Sequence, residues 1–422
     1  MGKSANLRSF VTRCCAFIWK CFCLFQCTGR GRRYNPVPTK DDDRESHDEG
    51  SSGVASSNIA MYEMSCGQQD YHRPLSACTV ENVRYRLAET PHVEHDNEDR
   101  WFETHDVSGS YQVVALFDGH DGRLAVDRVC EYVKIRLPVE EAESVTLTTL
   151  QKLFAETERN FFDNIRAYLE ERQRLQNTIP SGMKSYQASQ LYPREVARLE
   201  ELEPLISGGC TAVVAVVCGN KLFVANVGDS RAVLIYQTPS GALETLQLST
   251  DHDVRNEDEL KRLEKLGLDP EELKRAGRLG PQENTRSIGD YNIKGGYQNV
   301  DVLSHASGPP GTAEPSVKSW NIDKSFLYLM VMSDGVYKSI EAAVDEAQTI
   351  GANQVLANMV HTYAQTPGVG FSSIAQSTLD QVAHLHEEAF QRSAQQDARS
   401  PKAIACRKRD DMTLVVCPLS SM

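Results

Sequence analysis

Two apolar runs in this sequence end in an acid followed by glycine: Leu116-Phe117-Asp118-Gly119-His120 and Val331-Met332-Ser333-Asp334-Gly335. A third acidic pair, Asp410-Asp411, directly precedes the apolar stretch from Met412 to Cys417, and Glu98 lies 20 residues before Asp118 in Asn97-Glu98-Asp99. A carboxylate at the end of a buried apolar strand is costly unless a cation meets it. If these ends converge, mutual repulsion raises the carboxylate pKa values, and a divalent cation removes that repulsion. Hard oxygen ligands without clustered His or Cys suit Mg²⁺ or Mn²⁺ rather than Zn²⁺. Glycine beside an acid lets a backbone carbonyl approach the ion. Two such ions about 4 Å apart can hold a bridging water and stabilise an in-line displacement at phosphorus. His120 is then placed to protonate the leaving oxygen. Each Asp-Gly alone reads as a turn, but four acidic groups with His120 among them favour a metal site. The sequence has no G-x-x-x-x-G-K-[ST], G-x-S-x-G or H-E-x-x-H, so those alternatives lack support.

These residues need strand ends to hold them. The sequence predicts strands at 111–117, 211–218, 221–227, 231–236, 326–332 and 412–417, with Gly219-Asn220 as a two-residue hairpin turn. Helical spacing of Leu150, Phe154, Phe161, Phe162, Ile165 and Leu169 predicts a helix over 150–174, with others over 257–266, 354–362 and 375–390. Strands neighbour strands and helices come in groups, so antiparallel sheets covered by helices are expected. The polar stretch 176–205, with Pro180, Pro193 and Pro204, reads as an inserted loop and helix.

With 422 residues, 40% hydrophobic and 24% charged, the chain is neither wholly disordered nor collagen-like nor a polytopic membrane protein. The formal charge is −13, yet Lys3, Arg8, Arg13, Lys20, Arg30, Arg32 and Arg33 make residues 1–33 purely cationic. The remainder is strongly acidic, which argues against nucleic acid as a partner. Five of the 12 cysteines fall in the first 27 residues, beside Phe17, Trp19 and Phe22. The uncharged stretches there are too short to span a bilayer. Acylation of Gly2 and of cysteines such as Cys14 and Cys15, with the basic residues against anionic lipid, accounts for these features as a peripheral anchor. Asn6 is a weaker occupant than Ser or Thr of the sixth position of a myristoylation signal. The expected organisation is an anchor at 1–33, a polar linker at 34–79 and one domain at 80–419, located at the cytoplasmic face of a membrane.

The ordered motifs Phe117-Asp118-Gly119-His120, Ser207-Gly208-Gly209-Cys210-Thr211-Ala212, Asn226-Val227-Gly228-Asp229-Ser230-Arg231, Thr250-Asp251-His252, Thr285-Arg286-Ser287-Ile288-Gly289-Asp290, Ser333-Asp334-Gly335 and Arg409-Asp410-Asp411-Met412-Thr413 resemble the metal-dependent protein phosphatases of type 2C. The resemblance implies an α+β fold, a four-layer α-β-β-α sandwich of two antiparallel sheets flanked by helices. It implies removal of phosphate from phospho-Ser and phospho-Thr proteins with two Mn²⁺ or Mg²⁺ ions. The implied metal ligands are Glu98, Asp118, the Gly119 carbonyl, Asp334 and Asp410, with Asp229 a further candidate and His120 the general acid. Within the family, Asn256-Glu257-Asp258-Glu259-Leu260 and Asn299-Val300-Asp301-Val302-Leu303-Ser304 look most like a pseudophosphatase subgroup, the binding protein 1 of the transforming-growth-factor-β-activated kinase. That subgroup implies the alternative of a scaffold that binds a kinase without turnover. Its members lack Asp at the positions matching Asp118, Asp229 and Asp334, whereas this chain keeps all three. Three departures from the family pattern stand out: Glu94 in place of a phosphate-gripping Arg, Lys338 in place of an Asp, and Asp411 in place of an Asn. A shifted register would let Arg100 or another Arg serve as the grip. An Asp410 pointing away, or a Lys338 reaching in as a built-in cation, would favour the scaffold.

Overall fold

A computed structural model describes residues 75–106, 111–137, 145–345 and 347–419. The expected anchor with Gly2, Cys14 and Cys15, and the polar stretch up to residue 74, lie outside the described residues. The strands, in chain order, are β1 Ser76–Val80, β2 Val83–Arg84, β3 Asp99–His105, β4 Tyr111–His120, β5 Gly209–Cys210, β6 Ala212–Cys218 and β7 Lys221–Val227. They continue with β8 Arg231–Gln237, β9 Leu243–Gln247, β10 Ile288–Gly289, β11 Ser316–Asn321, β12 Phe326–Met332, β13 Lys408–Arg409 and β14 Met412–Pro418. One antiparallel sheet runs β1-β14-β12-β8-β9; the other runs β10-β5-β4-β6-β7-β11, with β3 paired to β4. β2 and β13 form a separate two-stranded ribbon.

Strand alternation explains how the sheets stack. Val114 and Leu116 of β4 point between the sheets, where they meet Val213, Leu234, Leu329, Val331 and Val415. Val113, Ala115 and Phe117 point the other way, as successive strand residues must. They pack against two helices, α1 Arg123–Arg136 and α2 Leu147–Thr178. β6 is apolar on both faces because it is covered twice. α3 Ser185–Leu191 and α4 Pro193–Ile206 follow, with α4 packed on α2, and then come α5 Glu257–Glu264, α6 Pro270–Ala276 and, on the far side, α7 Asp334–Ala343. The last helices are α8 Ala347–Ile350, α9 Ala352–Gln365, α10 Ile374–Asp397 and α11 Pro401–Ala405. Val336 and Ile340 of α7, Leu356 and Val360 of α9, and Leu379 and Val382 of α10 cover Met330, Met332, Leu414 and Val416. The result is the four-layer α-β-β-α sandwich. Each buried Leu, Val or Phe of β4 contributes roughly 1.5–3 kcal/mol.

Thr146 caps α2 with its hydroxyl on the Thr149 N–H, which starts the helix one turn before the expected Leu150. Within 176–205 the chain forms two helices rather than a loop and a helix, with Leu202 and Ile206 buried and Pro193 at the first turn of α4. β1 begins at Ser76, so the last residues of the expected linker are paired to β14.

Candidate active site

Asp118 continues the inter-sheet face of β4 beyond the apolar core, and β3 pairs Asp99 directly with it. Asp334 starts α7 immediately after β12, and its N–H faces Asp118 Oδ2 at 3.5 Å. Glycines permit this convergence. A Cβ on Gly335 would sit 2.0 Å from the Asp411 carbonyl oxygen, and one on Gly119 would sit 2.8 Å from the Glu98 carbonyl oxygen. Burial, then repulsion from Asp334, Asp99, Asp410 and Asp229, pushes the Asp118 carboxyl well above the usual range. Burial raises Asp99 to about 8, although the Ser333 hydroxyl donates to its Oδ2 at 2.7 Å. Burial also raises Glu98, whose Oε1 accepts the Gly122 N–H at 2.8 Å.

The adjacent acids Asp410 and Asp411 have different jobs. Asp411 is 5% exposed and fully engaged: Oδ1 accepts the Asn82 N–H at 2.7 Å and its side-chain amide at 2.8 Å, while Oδ2 accepts the Glu98 N–H at 2.9 Å. It ties three chain segments together. The Asp410 side chain is 53% exposed, accepts the Asp411 N–H at 3.0 Å, and repels the charge on Asp118. The less engaged carboxylate of the pair is therefore Asp410. His95 brings a ring nitrogen within 4.8 Å of both acids.

His120 Nε2 lies 2.7 Å from Asp290 Oδ1, and the other oxygen of Asp290 accepts the Ser287 hydroxyl. Burial alone would lower the imidazole pKa, but Asp290 overrides it and raises it to about 9. His120 therefore carries a proton at neutral pH, as a proton donor must.

Lys338, one helical turn after Asp334 on α7, ion-pairs with Asp334 and reaches Asp229 Oδ2 at 3.2 Å and Glu283 Oε2 at 3.3 Å. Burial would lower its pKa, yet Asp334 and Asp229 hold the ammonium charged. Lys338 thus enters the site as a built-in cation. Arg100 does not serve as a grip: its guanidinium is held by Asp127 Oδ1 at 2.6 Å and by the carbonyls of Asn97 and Asp99. Glu94 ion-pairs with Arg84.

The donor set fits divalent cations. Asp99 Oδ1 and Asp229 Oδ1 are buried without a hydrogen-bond partner among the described residues, and the surrounding donors are hard oxygens. Among the described residues, the group of three whose donor atoms lie within 4.8 Å of one another is His95, Asp410 and Asp411, while Lys338 already neutralises the Asp229 side. Motif reading missed the site placement of Asp99, hidden as the second acid of Glu98-Asp99. It also gave no role to Asp290, which is 170 residues from His120 in sequence.

A family model described as protein phosphatase 2C matches residues 79–370. The chain is similar to the TGF-beta-activated kinase 1 and MAP3K7-binding protein 1 of Caenorhabditis elegans, 26% identical over 287 residues that cover 67% of each chain. It is also similar to the probable protein phosphatase 2C 42 of Arabidopsis thaliana, 26% identical over 296 residues, 65% of this chain and 69% of the relative. Among solved structures, a phosphatase from a pathogenic strain of Toxoplasma gondii gives a TM-score of 0.49 at 14% identity, covering 83% of this chain and 94% of that chain. Among the described residues no helix is long and apolar enough to cross a membrane.

Proposed function

Since this chain belongs to the protein phosphatase 2C family, we propose that it is a metal-dependent phosphatase acting on phospho-Ser and phospho-Thr proteins in signalling. The observation that carries this reading is Asp118, a buried carboxylate surrounded by four others that raise its pKa. A bound divalent cation would relieve that repulsion and let the carboxylates ionise at neutral pH. Glu98, Asp118, the Gly119 carbonyl, Asp334 and Asp410 would hold two Mn²⁺ or Mg²⁺ ions, with Asp229 a further ligand. Bound there, such ions neutralise phosphoryl charge and lower the pKa of water. The chain's own part is positional. Asp411 fixes Asn82 and Glu98 against the Asp410 loop, and Asp290 holds His120 by Nε2. Nδ1 is then the nitrogen that hands a proton to the departing Ser or Thr oxygen.

The test uses the full chain, a phosphothreonine peptide, and Mn²⁺ either added or chelated, beside Asp118→Asn. Phosphate release that needs both Mn²⁺ and Asp118 is expected. Release indifferent to both would overturn the mechanism.

Lys338 favours a second reading. Its ammonium on Asp334 and Asp229 competes with an ion for Asp334, and a scaffold that binds a signalling kinase would need no turnover. The repulsion that Asp410 exerts on Asp118 weighs for the enzyme. Absence of Mn²⁺-dependent release in the assay above would decide for the scaffold.

Attachment to the cytoplasmic face of a membrane is part of the proposal, resting on the seven cations and five cysteines of the N-terminal segment. Mass spectrometry of the N-terminal peptide from cells tests it; acyl groups on Gly2 and on Cys14 or Cys15 are expected, and unmodified residues would refute it.

A further inference from the structure

The β2–β13 ribbon brings two cations to one acid at the edge of the carboxylate cluster. Arg84 and Lys408 are direct partners in the antiparallel pairing, so their side chains share a face of the ribbon. Arg84 Nε pairs with Glu94 Oε1, and Lys408 Nζ lies 3.9 Å from Glu94 Oε2 and 4.0 Å from Asp410 Oδ2. Arg84 and Lys408 here face Glu94 and Asp410, so the charges balance and an ammonium stands directly beside the exposed carboxylate of the site.

Two other cations near the cluster are held closely. Lys338 is held by three carboxylates and Arg100 by Asp127 and two carbonyls. Lys408 differs. Its side chain is 43% exposed and its two ion pairs sit at the outer limit of contact. Such pairs contribute little, roughly 0–1 kcal/mol, so the ammonium can leave Glu94 at small cost. Arg84 meanwhile keeps Glu94 paired. A phosphomonoester carries about two negative charges near pH 7 and three acceptor oxygens. It therefore competes for an ammonium that Glu94 and Asp410 hold only at 3.9 and 4.0 Å.

We infer that Lys408, backed by Arg84, binds the substrate phosphate at the mouth of the site, with Glu94 as the internal counter-ion that Lys408 leaves when substrate arrives. Lys408 acts as a substrate-binding residue, and this assignment rests on the phosphatase reading. It predicts opposite signs for two substitutions. Lys408→Ala removes the ammonium, while Glu94→Gln removes its competitor.

The experiment measures Mn²⁺-supported turnover of a phosphothreonine peptide by the full chain. Lys408→Ala should raise KM about tenfold with kcat within about twofold, equivalent to one charge-assisted hydrogen bond. Lys408→Arg should restore most of the loss, and Glu94→Gln should lower KM. A KM unchanged in Lys408→Ala, or raised alike in Glu94→Gln, would overturn the assignment; thermal unfolding of each variant separates misfolding from lost binding. If the unsubstituted chain shows no turnover, the phosphatase reading fails by itself. The same peptide is then followed by fluorescence anisotropy, phosphorylated against unphosphorylated. Tighter binding of the phosphorylated form that is lost in Lys408→Ala would sustain the phosphate site, and equal binding of both forms would remove it.

Discussion

Glu259 and Asp118 are both carboxylates set among charged neighbours, and the protein treats them in opposite ways. Glu259 is 1% exposed and receives Arg286 Nε at 2.9 Å, Arg262 Nη2 at 2.9 Å and the Thr285 hydroxyl at 2.7 Å. Burial alone would raise its pKa, but these donors prevail and lower it to about 2. Asp118 is met instead by Asp334, Asp99, Asp410 and Asp229, and its pKa is pushed well up. A carboxylate that serves the fold brings its counter-ions with it. One left among like charges is poised for a cation from outside, and such unbalanced clusters mark functional sites.

The contrast breaks most sharply with Asp118→Asn. Phosphate release should fall about a thousandfold or more, because phosphoryl transfer depends on positioning and electrostatics. Stability should move the other way. Without added metal the variant should melt at a higher temperature than the unsubstituted chain, since one of several repelling charges has gone. Mn²⁺ should stabilise the unsubstituted chain far more than the variant, as an ion bound only by the folded state must. Thermal melts with and without Mn²⁺ check both statements.

Glu259→Gln should do the reverse. Removing this acid leaves Arg286 and Arg262 without their buried partner, a loss on the order of 3 kcal/mol, read from urea unfolding midpoints. The pH dependence follows from the same group. Its folded pKa of about 2 lies below the ordinary 4.5. Its stabilisation is therefore complete above about pH 4.5 and is lost as pH falls toward 2, because the unfolded chain binds the proton first. A shift of that size corresponds to roughly 3 kcal/mol. Unfolding titrations between pH 5 and 2.5 should show a steeper loss in the unsubstituted chain than in Glu259→Gln. Parallel curves would mean that the arginines do not hold this group.

How much of this was legible in the sequence depends on where each partner sits along the chain. Asp118 and Asp334 stood out because an acid after an apolar run breaks the expected pattern. The hairpin at Gly219-Asn220 was equally plain, since β6 ends at Cys218 and β7 starts at Lys221. The four-layer stacking came from the family resemblance, while strand alternation alone supported only sheets covered by helices. Asp99 was hidden because β3 is polar over most of its length, so nothing marked it as a strand that pairs Asp99 with Asp118. The split between Asp410 and Asp411 depends on Asn82, which is 329 residues from Asp411 and carries no local signal. Arg84 and Lys408 pair through a ribbon of two residues per strand, too short for any periodicity.

Lys338 tests whether the two halves of the carboxylate cluster differ in kind or only in occupancy. Around Asp118 the acids face one another; around Asp229 an ammonium lies between Asp229, Asp334 and Glu283. If that ammonium stands where a divalent ion would otherwise sit, Lys338→Asp should convert the filled half into an open one. A Mn²⁺ titration should then count one more ion per chain than in the unsubstituted protein. The geometry supports this, because residue 338 lies one helical turn from Asp334 and its side chain already points at both acids. An unchanged count would show that Lys338 serves packing around the Tyr337 hydroxyl and Asp229, and that the two halves were never equivalent.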